Sequence, residues 1–301
     1  MSWQLRVMGA TMRPVMRRLS ERVSDPDVIR RQLRLSSRFF MRTPPQALFE
    51  ETSYNGLRAL WVASGTSGGK AVSNDKVLLY IHGGGYLAGD PDTHKKMVAR
   101  LCRMAGLKAF LPAYSLAPEH PVPAGLNDVE AAWQHLLSKG YAPEQIVLGG
   151  DSAGGGLALA LLSLLCQRGE TPAGLFAWSP FTDFTFSGAS MSENFRSDHF
   201  FSSARVPELA ALVLGDTPPD DPRASPLFAD FPNCPPVLLQ ASHSEILRDD
   251  AMRMEQKLRA NGTAVRLEMW ADAPHAWQLF DGWLPEAREA IRNTARWINS
   301  L

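Results

Sequence analysis

Gly150-Asp151-Ser152-Ala153-Gly154 leaves this chain few folds to choose from. It is a G-x-S-x-G motif, set between an apolar β-like run, Gln145–Gly149 (QIVLG), and an apolar helix-like run after Ser152. A serine in so tight a strand-to-helix turn needs strained backbone angles, and only small neighbours let adjoining segments approach it. The helix start aims backbone N–H groups, and the positive end of its dipole, at an oxygen reacting with that serine. A bare match also arises by chance as a glycine-rich turn. The strand before it and the helix after it are the context the chemistry requires.

The rest of the chain repeats that alternation. Residues 1 to about 45 read as helical, punctuated at Pro14, Pro26 and Pro44-Pro45. Gly56–Ala63 is strand-like, Thr66–Lys70 is a turn, and Lys76–His82 is a β-rich run ending at glycines. A helix at Thr93–Ala105, a strand at Lys108–Tyr114 and a helix at Leu126–Lys139 lead to the serine turn. Leu175–Ser179, Val237–Ala241 and Ala264–Trp270 read as strands, with helices at Asp250–Ala260 and Pro285–Asn299. Short β-rich runs alternating with helices predict an α/β fold, a mostly parallel sheet covered on both faces. Residues 183–225, rich in Phe, Ser, Asp and Pro, interrupt the pattern and read as an insertion. Placed there, it would fold over the C-terminal ends of the strands, where such sheets bind ligands. The expected division is residues 1–45 and 183–225 above a core made of 46–182 and 226–301.

A second glycine cluster, His82-Gly83-Gly84-Gly85-Tyr86, follows the Lys76–His82 strand. Three glycines leave backbone N–H groups bare to converge on an oxyanion. Neither cluster has the G-x-G-x-x-G or G-x-x-x-x-G-K-[ST] spacing of a phosphate loop. His82 is expected to hold its own loop rather than act as a base.

These segments together resemble the hormone-sensitive-lipase branch of the α/β-hydrolases, the bacterial family IV esterases. HGGGYLAGDPDTH (82–94) resembles the family's oxyanion segment, and GGDSAGGGLA (149–158) its nucleophile segment. AYSLAPEHPVPAGLNDV (113–129) resembles a further family stretch, with Ser115 where arginine is usual, and Pro222–Leu227 resembles its return from cap to core. The resemblance covers most of the chain and implies the α/β-hydrolase fold with a helical cap. It implies a serine carboxylesterase for short- to medium-chain esters, with a triad in the order Ser, acid, His. Ser152 is then the nucleophile and His275, in Pro274-His275-Ala276-Trp277, the base. Glu245-Ile246-Leu247-Arg248-Asp249 stands against the family's D-P-L-x-D, so Glu245 is the expected acid in place of aspartate, and Ile246 replaces the proline. Asp249 and Asp272 are the alternatives; Asp249 and Asp250 more naturally cap the next helix. Gly83, Gly84, Gly85 and Ala153 form the expected oxyanion hole, with Gly83 shaping the loop. Tyr86, Asp151, Phe200 and Trp277 are candidate substrate contacts. Phe39, Phe40, Phe184, Phe186, Phe200, Phe201 and Trp277 either line an apolar pocket or make up the cap's core. Other readings on the same fold are a non-catalytic binding protein, an amide or lactone hydrolase, or a peptidase.

Composition adds exclusions. The chain has 301 residues with Lys+Arg 31 against Asp+Glu 31, which argues against nucleic acid or an anionic membrane as a partner. Its 45% hydrophobic and 21% charged residues are those of a globular chain. The longest apolar run, Leu157–Cys166, falls far short of the roughly 20 residues that span a bilayer, so stable membrane insertion is not expected. The three cysteines lack C-x-x-C spacing, so no metal is expected, and acyl transfer through serine calls for no cofactor. Their odd number fits a reducing compartment, and the N-terminus lacks a signal-peptide pattern. A cytoplasmic protein is expected; a transit peptide in the Arg-rich first 23 residues is the weaker alternative. Relatives often dimerise through an edge strand, and Ala264–Trp270 is the candidate edge for a homodimer.

Overall fold

The computed structural model describes residues 2–11, 25–65, 75–200 and 206–301. Residues 3–11 are helical (α1). Then come α2 (Pro26–Phe40), β1 (Ala47–Tyr54), β2 (Leu57–Ser64), β3 (Val77–Ile81), α3 (Pro91–Ala105), β4 (Lys108–Pro112) and α4 (Ala124–Ser138). β5 (Ile146–Asp151), α5 (Ala153–Gln167) and β6 (Gly174–Trp178) follow. After α6 (Ser190–Glu193) and α7 (Val206–Leu214) the chain returns to β7 (Val237–Ser242), α8 (Arg248–Ala260), β8 (Val265–Trp270) and α9 (Pro285–Ile298).

The eight strands form one sheet in the order β1-β2-β4-β3-β5-β6-β7-β8. β2 runs antiparallel to β1 and β4, and every other pairing is parallel. Parallel strands buried on both faces need apolar residues at every position, and β3 (VLLYI), β6 (GLFAW) and β7 (VLLQAS) are buried throughout. Their alternation separates two cores. Val77, Leu79 and Ile81 of β3 join Leu148, Leu175 and Leu239 on the face covered by α4, α5 and α8. Leu78 and Tyr80 join Phe176, Trp178 and Leu238 on the face covered by α3 and α9. α5 is the central helix, buried at all but two of its positions, which accounts for its unbroken apolar sequence. On the opposite face, α3 starts at a reciprocal cap between Asp90 and Thr93, with Pro91 in the first turn, and stops at left-handed Gly106.

Two features depart from the sequence reading. β1 was not foreseen. Its burial largely alternates and its residues 50–53 (EETS) are polar, because it is an edge strand with water on one side. The signal for it was Asn55-Gly56, whose positive φ angles (47° and 78°) make the two-residue turn of a hairpin with β2. The cysteines also differ. Cys166, at the end of α5, is disulfide-bonded to Cys234, just before β7, and only Cys102 is free, buried under β2. The odd count was therefore no guide to a reducing compartment.

β8 lies at an edge of the sheet, as expected of Ala264–Trp270. Between β6 and β7 the chain makes one long excursion, with no strand among its described residues. α1 packs through Leu5 against Ala273, Trp277, Leu284 and Ala287, and Ser2 Oγ donates to Glu286 (2.8 Å). α2 is tied down by Arg30, which donates to the Leu87 and Ala117 carbonyls (2.8 and 2.9 Å) and pairs with Glu119. No described helix is long and apolar enough to cross a membrane.

Candidate active site

Ser152 is the hinge between β5 and α5, with φ 54° and ψ −122°, a conformation that costs a side-chain-bearing residue of order 1–3 kcal/mol. The flanking glycines permit it. A Cβ on Gly154 would lie 2.1 Å from the Ile81 carbonyl oxygen, and one on Gly150 2.5 Å from that of Gly154. The turn is pinned by Ser152 N–H donating to Trp178 O (2.8 Å) and by Ser152 O accepting from Gly156 and Phe181.

Ser152 Oγ lies 2.8 Å from His275 Nε2, and His275 Nδ1 lies 2.7 Å from Glu245 Oε2. A carboxylate only accepts, so Nδ1 carries the proton and Nε2 is left to accept from the serine hydroxyl. The other Glu245 oxygen accepts the Ser242 N–H (2.7 Å) and the Ser179 hydroxyl (2.9 Å). Ser179 Oγ also accepts the N–H of Ala276, the residue after the histidine (3.2 Å). Burial lifts the Glu245 carboxyl above its ordinary range, against the pull of His275. For His275, burial works to lower the pKa, but the hydrogen bond and charge of Glu245 outweigh it and leave the imidazole raised. The three groups come from the ends of β5, β7 and β8, at one end of the sheet.

The alternative carboxylates are engaged elsewhere. Asp272 pairs with His199 (2.9 Å). Asp249 accepts the Ser190 N–H, and Asp250 accepts those of Thr182 and Asp183 (2.9, 2.7 and 3.1 Å). Both sit in the first turn of α8, yet they hold the excursion rather than cap their own helix, which has no side-chain cap.

Beside Ser152 lies the loop after β3. Gly84 and Gly85 have φ of 129° and 65°. Among the described residues, the N–H groups of Gly84, Gly85 and Ala153 make no hydrogen bond. That of Gly83 donates to Asp151 Oδ1 (3.1 Å). Asp151 also accepts from Tyr80 OH (2.6 Å) and pairs with His94 (3.3 Å), all out of reach of water. Burial would raise the Asp151 carboxyl, but the charge of His94 outweighs it and holds it below its usual range. His82 stacks on Tyr114, whose hydroxyl donates to the His82 carbonyl (2.9 Å), and burial pushes its imidazole down to about 3. It is a strut for its loop.

Of the candidate substrate contacts, Tyr86 lies over the first turn of α5 and packs with Phe181 and Phe184 (6.1 and 5.4 Å between centroids). Of the other three, Asp151 and Trp277 are corrected. Asp151 spends its carboxylate on the Gly83 N–H, Tyr80 and His94. Trp277 is fully buried against Leu5 and Trp270, with no surface left for a ligand. Phe200 stacks on Phe280. Phe184 is likewise buried, whereas Phe186 lines a cavity of 410 Å³ with Met191, Phe195, Val206 and Pro207. Phe201 and the side chains of Phe39 and Phe40 lie outside the described residues. Sequence reasoning missed Tyr80, His94, Ser179 and Asp198, which act on the site only through other residues. Nothing in their local sequence marks them out.

Known proteins resemble the chain in sequence and in fold. A family model described as an alpha/beta hydrolase fold matches residues 78–279. An acetyl-hydrolase of Streptomyces hygroscopicus is 37% identical over 222 residues, 73% of this chain and 74% of its own length. An esterase of Acinetobacter venetianus is 34% identical over 231 residues, 76% of each chain. Among solved structures, an esterase of the bacterial hormone-sensitive lipase family superposes with a TM-score of 0.91 at 37% identity, covering 100% of this chain and 98% of that one. The esterase EstE5, in crystals soaked with p-nitrophenyl butyrate, gives 0.89 at 30% identity, covering 100% and 99%. With the sheet, the serine turn and these relatives in agreement, the chain belongs to the hormone-sensitive-lipase-like family IV of the α/β-hydrolases and is a carboxylic ester hydrolase.

Proposed function

We propose that the protein is a serine carboxylesterase for short- to medium-chain esters, working through Ser152, His275 and Glu245. The observation that carries this reading is the continuous hydrogen-bond chain from Ser152 Oγ through both nitrogens of His275 to Glu245. His275 Nε2 takes the hydroxyl proton as Ser152 Oγ bonds to the ester carbonyl carbon. The oxygen that gains the negative charge meets the N–H groups of Gly84, Gly85 and Ala153. Collapse of the tetrahedral species expels the alcohol, which takes the proton from His275. Water repeats the sequence on the acyl-enzyme, giving up its proton to His275 and releasing the acid. Glu245 keeps the Nδ1–H tautomer and stabilises the imidazolium in both halves.

The excursion between β6 and β7, with α1 and α2, acts as the cap. Tyr86, Phe181 and Phe184 form an aromatic wall beside Ser152, since Phe181 N–H donates to the Ser152 carbonyl. Phe186 stacks on Phe181 and extends this wall, along which an acyl chain of modest length would lie. The p-nitrophenyl butyrate used with EstE5 is an ester of that size.

Hydrolysis of p-nitrophenyl esters from C2 to C16 tests the reading. Wild type should turn over the short members best. Ser152→Ala should lower kcat by a factor on the order of 10⁶, and Glu245→Gln by roughly 10³–10⁴. An inert wild type, or an unimpaired Glu245→Gln, would overturn it.

A further inference from the structure

The excursion between β6 and β7 grips the loop that carries Glu245. Ser190 Oγ donates to the Ile246 carbonyl (2.6 Å), and Ser197 Oγ to that of Ser244 (3.1 Å). Asn194 Nδ2 donates to the carbonyls of His243 and Glu245 (2.8 and 2.6 Å). One bond runs the other way: the Ile246 N–H donates to Asp198 Oδ2 (2.9 Å), while Asp198 Oδ1 accepts the Phe200 N–H (2.8 Å). Asp198 is 1% exposed. The family pattern has proline at position 246, which has no N–H to satisfy. Isoleucine restores a buried donor next to the acid, and a buried donor must find an acceptor.

We propose that Asp198 is a positioning residue for the catalytic acid, fixing the Ile246 N–H and through it the direction in which Glu245 reaches His275. The inference rests on the Ser152–His275–Glu245 reading. It makes the excursion part of the catalytic scaffold, since moving Asp198 away leaves the Ile246 N–H beside the acid without its acceptor. It also assigns a use to the isoleucine that replaces the usual proline. The negative charge of Asp198 joins those of Glu245 on the acid loop and Asp151 on β5 in facing His275. Each favours the imidazolium. Removing one of them should extend activity to lower pH.

The experiment compares Asp198→Ala, Asp198→Asn, Ile246→Pro and Asp198→Ala/Ile246→Pro on p-nitrophenyl butyrate, with melting temperatures recorded for each. Asp198→Ala should lower kcat on the order of tenfold and leave KM within about twofold. Asp198→Asn keeps an acceptor but not the charge. It should recover most of kcat, while the acid limb of kcat/KM moves down by about half a unit or more. In the Ile246→Pro background there is no N–H to hold, and adding Asp198→Ala should cost less than about twofold. Equal losses in both backgrounds, or an unmoved acid limb in Asp198→Asn, would overturn the proposal. If Asp198→Ala does not fold, the Asp198→Asn limb decides alone. Glu245→Gln, run alongside, separates the two levels. Full activity there removes the triad reading, whereas an inactive Glu245→Gln beside an undiminished Asp198→Ala removes only this inference.

Discussion

Gly83 shows how little room the site leaves a single residue. A Cβ there would stand 2.3 Å from Asp151 Oδ2 and 2.8 Å from the Asp151 carbonyl oxygen. Neither neighbour can yield, since the carboxylate is fixed by Tyr80 and His94 and the carbonyl belongs to the central strand β5. Gly83→Ala should therefore push the glycine loop off Asp151 and carry the Gly84 and Gly85 N–H groups out of position. The expected result is a fall in kcat of roughly 10²–10³ with KM little changed. An unimpaired Gly83→Ala would show that the loop is not held from Asp151. At this scale the sequence was legible where chemistry dictates the residue type. Ser152 sat in its motif, and the family order pointed to His275 and Glu245, which the fold brings into one hydrogen-bond chain with it. Asp151 was misread because the motif shows it beside the serine but cannot show that successive strand residues point to opposite faces. Trp277 was misread for a related reason. An aromatic after the histidine looks like a pocket wall until Leu5, from the far end of the chain, covers it.

Among the elements, the strands and helices of the core were readable because periodicity and turn residues act locally. Long-range ties were not. The clearest is the start of α8, where Asp250 Oδ2 accepts the N–H groups of Thr182 and Asp183 just beyond β6. Burial pushes this carboxyl up to about 7, and the charge of nearby Asp183, itself paired with Arg253 (2.8 Å), adds to it. The folded protein thus keeps a proton that the unfolded chain gives up above its ordinary carboxyl pKa of about 3.9. A raised folded pKa stabilises fully below the unfolded value, and that stabilisation is lost as pH rises through the folded one. About three units correspond to roughly 4 kcal/mol. Asparagine at 250 keeps an acceptor and cannot ionise. Asp250→Asn should therefore gain stability over wild type as pH rises from about 4 to 8, with the gap opening mainly below pH 7. Urea unfolding of both proteins across that range measures it. Parallel profiles would mean that Asp250 is ionised in the fold at all these pH values.

At the scale of the whole molecule, the Cys166–Cys234 bridge closes the largest detour in the chain, a loop of 68 residues that holds β6 and the entire excursion. One end is the last turn of α5, and the other leads into β7, after which comes the loop with Glu245. A cross-link over such a loop removes conformations from the unfolded chain worth about 4 kcal/mol. The core itself is large, with Trp133, Trp178 and Phe176 fully buried, so the fold does not depend on the bridge. The pairing was not legible because residues 68 apart are joined only once a helix and a loop from opposite ends of the excursion meet. Reduction, or Cys166→Ser, should lower the melting temperature by roughly 5–10 °C while leaving the protein folded and active at 25 °C. The thiol count gives an independent reading. Denatured without reductant, the bridged chain should expose one thiol, Cys102, and after reduction three. Three thiols without reductant, together with a melting temperature that reductant does not move, would show that the two sulfurs lie side by side unbonded, and that the excursion is held by its hydrogen bonds and core packing without a covalent tie.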